Sequence, residues 1–247
     1  MDSTDYDAVH AEYARYRKPD VRIAALIENA LGDARSVINV GAGTGSYEPA
    51  SVPVVAVDAS LEMLKHREAE GAAVQATAER LPFHAGAFDA ALAILTVHHW
   101  PDREAGLSEL RRVARKRVVL LTWVEYPEGF WLLDYFPEIL TLDQRVFPTL
   151  DELSAIWGPL AVTAVPIPRD CTDGLLCAYW ARPERYLEAK TRAAISVFGK
   201  LGNVAEGIGR LERDLDSGAW HARYGELLDA ESRDFGYRLV RVELGAA

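Results

Sequence analysis

The sequence predicts an α/β fold built on an open, doubly wound and largely parallel sheet. Three observations carry this. The apolar run Ser36 to Val40 leads straight into Gly-Ala-Gly-Thr-Gly, and a second run, Val54 to Val57, is closed by Asp58. Two more apolar runs, Phe88 to Leu95 and Arg117 to Trp123, flank a segment of helical periodicity. Strands that read as continuous apolar runs alternating with helices belong to parallel sheets covered on both faces.

Taken in order, Tyr6, Val9, Tyr13 and Tyr16 recur at spacings of three and four, which predicts an amphipathic helix ending near Lys18-Pro19. A second helix is expected from Asp20 to Leu31 with Gly32 as its stop. After the strand that ends at Asp58, Ser60 can cap a helix from Leu61 to Ala69, stopped at Gly71. Asp102 to Ala114 reads as a helix with Leu107, Leu110 and Val113 inward. Thr149 to Trp157 looks helical, Ala161 to Ile167 extended, Asp173 to Leu228 mostly helical, and Tyr237 to Leu244 a last strand that returns to the sheet. The expected division is N-terminal helices over 1–34, a sheet core over 35–169 plus 233–247, and a helical cap inserted over 170–232. No repeat or low-complexity tract interrupts this order.

Of 247 residues, 49% are apolar and 26% charged, the composition of a chain with a substantial core. The formal net charge of -10 repels phosphate backbones, so a small-molecule substrate is expected rather than nucleic acid. Nothing at the start of the chain reads as a secretion signal. No stretch approaches the roughly 18 apolar residues of a membrane span, so a cytoplasmic protein without membrane association is expected. The two cysteines, Cys171 and Cys177, lack zinc-ligand spacing and are expected to be free thiols, with no metal site.

Val37 to Gly45, VINVGAGTG, carries the strongest chemical signal, because a glycine-rich turn at the carboxyl end of a first strand lets the backbone approach a ligand closely. The competing reading is a tight turn with no ligand. Asp58, at the end of the second strand, stands where an acid accepts ribose hydroxyls in nucleotide-binding sheets; alternatively it only starts a helix before Ser60. A dinucleotide loop of the form GxGxxG would need glycine at 46, where this chain has Ser46.

With GxGxG in place of GxGxxG, the chain resembles the class I S-adenosylmethionine (SAM)-dependent methyltransferases, particularly the small-molecule group. The resemblance runs from about Tyr6 to Trp123 and includes Ala78-Glu79-Arg80-Leu81-Pro82-Phe83, Phe88-Asp89 and Val97-His98-His99-Trp100-Pro101-Asp102. It implies a seven-stranded Rossmann-like sheet, SAM as cofactor and S-adenosylhomocysteine as product. Carried over by position, it implies cofactor contacts at Asn39, Gly41, Ala42, Gly43, Asp58, Ala59, Met63 and Leu95, and adenine contacts at Thr77, Ala78 and Glu79. Arg17, in an N-terminal segment that resembles the family's cofactor-covering helix, would meet the carboxylate of SAM. The chain departs from the family at Asn39 and Thr77, where acids are usual, and at Arg115-Lys116-Arg117, which replaces a Pro-Gly-Gly turn. Pro49 and Pro53 fall between Gly45 and Asp58, so the first helix is expected to be short or replaced by a turn.

Methyl transfer can be accelerated largely by positioning, but an acceptor that loses a proton needs a base, and His98, just past strand four, is the expected candidate. Its alternative role is to order the loop. Tyr6, Tyr13, His98 and Trp123 are the expected substrate contacts. The aromatics Tyr126, Phe130, Trp131, Tyr135 and Phe136 line a pocket or pack a core. Two other functions compete. An NAD(P)-dependent oxidoreductase is disfavoured by Ser46 and the Ala-Glu-x-Leu-Pro-Phe stretch, whereas a SAM-binding protein without catalysis is hinted at only by Asn39. A base-amino methyltransferase would resemble its group in an Asn/Asp-Pro-Pro-Tyr/Phe segment, where this chain reads His-His-Trp-Pro.

Overall fold

The computed structural model describes residues 18–67 and 69–245. The expected helix over Tyr6 to Tyr16 lies outside them. A seven-stranded sheet has the order β3-β2-β1-β4-β5-β9-β6, with β1 (Val37–Val40), β2 (Val54–Asp58), β3 (Ala72–Gln75), β4 (Phe88–Ile94), β5 (Ala114–Trp123), β6 (Ala161–Ala164) and β9 (Tyr237–Glu243). The strands from β3 to β5 run parallel; β9 is antiparallel to both of its neighbours, β5 and β6. The Rossmann-like sheet expected from the sequence is therefore present.

Each element follows from its residues. The first described helix, α1 (Val21–Leu31), buries Ile23, Ile27, Ala30 and Leu31, and stops at Gly32, whose φ of +56° glycine alone adopts cheaply. Arg117 uses the space that a Cβ would fill there and donates to the Leu31 carbonyl at 3.0 Å. Ser60 Oγ accepts from Met63 N and caps α2 (Leu61–Lys65). This helix is shorter than expected: it ends at Lys65, beyond which the Arg67 side chain pairs with Glu48. Asp102 caps α3 (Arg103–Val113), which runs directly into β5 without a turn. At that junction Arg115 and Lys116 meet the buried Asp89, at 2.6 and 3.7 Å, and Arg117 and Lys116 meet Asp33. Those basic residues thus anchor the start of β5. No helix forms between β1 and β2, as Pro49 and Pro53 demand.

Ile38, Val40, Leu107, Leu110, Val113, Val118, Leu120, Val240 and Val242 form one core with Leu153 and Trp157 of α6 (Leu150–Trp157). The alternate β9 residues Leu239 and Arg241 line a small cavity with Leu26, Asn29 and Ala30 of α1, as the period-two alternation of a strand requires. Helices thus cover both sheet faces.

The chain divides into two compact units. The sheet unit comprises Val21–Val124, Val146–Val165 and Tyr237 onward; the other contains Glu125–Arg145 and Pro166–Gly236. The grouping differs from the expected division: residues 125–145, 166–169 and 233–236 fall in the second unit, and α1 falls in the sheet unit. The physical reason is aromatic packing. Trp131 lies edge-on to Tyr186 and Trp220 at 5.5 and 5.3 Å, and its Nε1 donates to the Trp180 carbonyl at 2.9 Å, all four rings being fully buried. Phe130, Tyr135 and Phe136 are buried too, so this stretch packs a core. The second unit also holds α4 (Leu132–Tyr135), most of α5 (Glu138–Val146), α7 (Ala189–Ala193), α8 (Val204–Asp216) and α9 (Ala219–Tyr224). Three 3₁₀ turns and the two-residue strands β7 (Ile167–Pro168) and β8 (Ser232–Arg233) complete it, so it is less helical than expected. Both cysteines are buried and neither is in a disulfide, and burial pushes the Cys171 thiol up to about 12. Among the described residues no helix is long and apolar enough to cross a membrane.

Candidate active site

Between β1 and β4 the strand order reverses, because β2 pairs on one side of β1 and β5 on the far side of β4. Loops leaving the two carboxyl ends diverge there and open a crevice, the usual ligand position in open α/β sheets. Residues 41–45 leave β1 at this point, with Gly41, Gly43 and Gly45 at φ +72°, +55° and +90°. A Cβ on Gly41 would lie 1.9 Å from Thr96 Oγ1, so the end of β4 abuts bare backbone. The Gly41 and Ala42 amides both donate to the Val57 carbonyl, at 2.8 and 3.0 Å, and tie the loop to β2.

Asp58 completes that tie. Its Oδ2 accepts from Gly43 N and its Oδ1 from Ser60 N, both at 2.8 Å. Each oxygen keeps a second lone pair, so the carboxylate holds the loop and can still accept from a ligand. Met63 of α2 sets its Cε 3.3 Å from where a Cβ on Gly43 would stand, bringing the helix against the loop. Ala59, next to Asp58, gives its carbonyl to Gln75 Nε2.

Leu95, at the end of β4, has φ +47°, a rare conformation for a branched side chain, held by its amide donating to the Leu121 carbonyl at 2.8 Å. A 3₁₀ turn, Val97–His99, follows. His98 is half-buried and His99 exposed. The His98 ring meets His99 and Phe147 in tilted contacts, with centroids 3.9 and 4.3 Å away. The buried Trp123, at the end of β5, meets Phe147 edge-on. Thr77 is exposed and Ala78 buried, while Glu79 Oε1 accepts from Asp102 N at 3.3 Å. Arg17, Tyr6 and Tyr13 lie outside the described residues.

Sequence reasoning missed one cluster. Asn39, 1% exposed, donates through Nδ2 to Glu48 Oε1 at 3.0 Å, and Glu48 Oε2 lies 2.6 Å from Arg67 Nη2. Burial pushes the Glu48 carboxyl up, against the opposing pull of Asn39 and Arg67. Asn39 Oδ1 is buried with no hydrogen-bond partner among the described residues. A glutamate inside a proline-containing turn and an arginine past a short helix gave no periodic signal to find them by.

A family model for the methyltransferase domain matches residues 38–122. A solved structure from Anabaena variabilis, assigned as a methyltransferase from an antibiotic biosynthesis pathway, is 31% identical and superposes with a TM-score of 0.85, covering 92% of this chain and 99% of its own. This chain belongs to the class I SAM-dependent methyltransferases. A SAM-dependent methyltransferase of Thermotoga maritima shares the fold at 14% identity, with a TM-score of 0.54 and coverage of 98% and 95%. An uncharacterised protein of Mycobacterium tuberculosis is 37% identical over 108 residues, and the match spans 38% of this methyltransferase and 39% of that relative.

SAM is accordingly the cofactor and S-adenosylhomocysteine its product. The residues present have the chemistry to hold it: a side-chain-free backbone at Gly41 and Gly43, a carboxylate with spare lone pairs at Asp58, and a buried unmet acceptor at Asn39.

Proposed function

We propose that this methyltransferase moves the methyl group of SAM to an oxygen, nitrogen or carbon nucleophile of a small molecule. The observation that carries this reading is the Gly43–Asp58–Ser60 tie, which presents a carboxylate beside bare backbone at the carboxyl edge of the sheet. The net charge of -10 supports a small-molecule acceptor over nucleic acid.

When bound, SAM supplies an electrophilic methyl on a sulfonium, displaced in line with loss of S-adenosylhomocysteine. Asp58 would accept from the ribose hydroxyls, the backbone of Gly41, Ala42 and Gly43 would hold the methionyl part, and Ala59 and Met63 would contact the ribose and adenine. Thr77, Ala78 and Glu79 would contact the adenine ring, Leu95 would add a contact from the end of β4, and Arg17 would meet the carboxylate. His98, whose ring packs against Phe147, takes the proton that the acceptor releases. Tyr6, Tyr13 and Trp123 contact the acceptor. Most of the acceleration then comes from holding acceptor and methyl in line.

Isothermal titration of S-adenosylhomocysteine, with NAD and NADP as controls and an Asp58→Ala variant alongside, tests the reading. Binding in the micromolar range is expected, lost in the variant while its circular dichroism stays native. Turnover is then read as S-adenosylhomocysteine released with a panel of small-molecule acceptors. Binding of NAD in preference to S-adenosylhomocysteine, or failure of every acceptor, would sink it.

A further inference from the structure

We infer that the second unit carries an oxyanion site of its own: Arg210, Arg213 and Arg223 line a cavity that takes the phosphate or carboxylate group of a small molecule. None of these residues belongs to the sheet unit, and the inference does not rest on the identity of the methyl acceptor.

The cavity, of about 290 Å³, is lined by Asp134, Tyr135, Arg210, Arg213, Asp214 and Arg223, which come from α4, α8 and α9. Three guanidinium groups thus stand against two carboxylates, a local surplus of positive charge in a chain whose formal net charge is -10. Arg210, Arg213 and Asp214 follow one another at spacings of three and four on α8, so they share a face. Neighbours of opposite charge at that spacing ordinarily pair, yet Arg210 and Asp214 do not. Asp214 Oδ2 accepts instead from the Tyr135 hydroxyl at 2.6 Å. Arg210 donates through Nη2 to the Asp134 carbonyl, and its guanidinium lies 5.4 Å from the centre of the Tyr135 ring. Arg213 makes no side-chain hydrogen bond or ion pair among the described residues; its Nη1 comes 3.4 Å from where a Cβ on Gly209 would stand. Only Arg223 meets a carboxylate, that of Asp134 at 2.9 Å, whose Oδ2 also accepts from the hydroxyl of the buried Tyr224.

The two tyrosines thus occupy the aspartates, and two of the three cations are left without a carboxylate partner among the described residues. Arg210 is also held in place by the ring and the carbonyl it rests on. Its Nε is buried, so the terminal nitrogens are the atoms a ligand would meet. Terminal guanidinium nitrogens form a planar fork that matches two oxygens of one anion. Two unneutralised cations favour a dianion, and a volume at the lower bound of small-ligand pockets, about 300 Å³, suits a phosphomonoester or a short dicarboxylate better than a nucleotide.

The test titrates inorganic phosphate, glycerol 3-phosphate and succinate into the full chain at neutral pH and constant ionic strength. Wild type is compared with Arg213→Gln, Asp214→Asn and a control, Arg169→Gln, which removes an exposed arginine of the same unit that does not line the cavity. Saturable binding of at least one anion is expected. Arg213→Gln should weaken it about tenfold, the loss of a charge-assisted contact, and Arg169→Gln should leave it within about twofold. Asp214→Asn keeps an acceptor for Tyr135 and removes an opposing charge, so it should tighten binding by about twofold or more. A cluster that serves only to join the helices would not respond to the two substitutions with opposite signs. Tighter binding of glycerol 3-phosphate than of succinate would assign the site to a phosphate ester, and the reverse to a carboxylate. No saturable binding of any of the three anions to the wild type would overturn the inference, as would an equal loss in Arg213→Gln and Arg169→Gln. The wild-type titration needs no variant and decides even if Arg213→Gln misfolds.

Discussion

Asp143, in α5, is buried in the second unit, and burial raises its carboxyl to about 6 despite the Tyr126 hydroxyl it accepts from and the nearby charge of Lys200. The unfolded chain holds an aspartate near the ordinary value of about 3.9. Between pH 4 and 6 the folded state therefore binds more protons than the unfolded one, and stability falls as pH rises through that window. Above it the full cost of a buried charge is present. Asp143→Asn keeps an acceptor for Tyr126 and removes that cost, so it should be more stable than the wild type at pH 8, by up to about 2 kcal/mol, with the gap closing as pH falls below about 4. Parallel melts at pH 8 and about pH 3.5 check this, and an equal shift at both would mean that packing, not ionisation, is responsible. Residues of this kind are illegible in sequence, because nothing around position 143 announces that an aspartate on an amphipathic helix faces inward. The loop residues were legible for the opposite reason: Gly41, Gly43 and Asp58 owe their geometry to local backbone demands that composition exposes directly.

At the scale of elements, local signals worked where the helix end carries its own hydrogen bonds. Thr149 Oγ1 accepts from Glu152 N, and Glu152 Oε2 accepts in return from Thr149 N at 2.8 Å, a reciprocal cap that starts α6 as expected. The helix then buries Leu153 and Trp157, whose Nε1 donates to the Leu107 carbonyl. Thr149→Ala should cost about 1 kcal/mol and lower the melting temperature by about 2–4 °C, read by thermal denaturation. A drop of 10 °C would instead point to lost core packing. Elements held only by their neighbours were not legible. β3, AAVQ, has three exposed residues of four and no apolar run, yet it pairs with β2 from Val55↔Ala72 to Asp58↔Gln75. Its strand character comes from the edge it joins. The early start of β5 at Ala114 was missed likewise, because the apolar run begins only at Arg117, and Arg115 and Lys116 gain their place in the strand from Asp89 and Asp33.

At the scale of the whole molecule, the parallel half of the sheet follows from its run of strands and helices, but the division into two units depends on contacts between distant segments, such as Trp131 with Trp180 and Trp220. The sheet unit shows the same dependence. Its last strand, β9, arrives after the whole second unit and takes a place inside the sheet, between β5 and β6, rather than at an edge. Seven residue pairs, from Arg117↔Glu243 to Trp123↔Tyr237, join it to β5, and four more join it to β6. Val240 and Val242 complete the core under α3 and α6. Without β9, β5 would present an unpaired apolar edge and β6 would have no partner, the condition under which sheets associate between chains. A chain stopped after Gly236 should therefore aggregate or lose near-ultraviolet dichroism and cooperative melting, whereas one stopped after Gly245 should melt like the full chain. A cooperative melt of the shorter chain would show that β1 to β5 form a self-sufficient sheet and that β9 is dispensable to the folding of this methyltransferase.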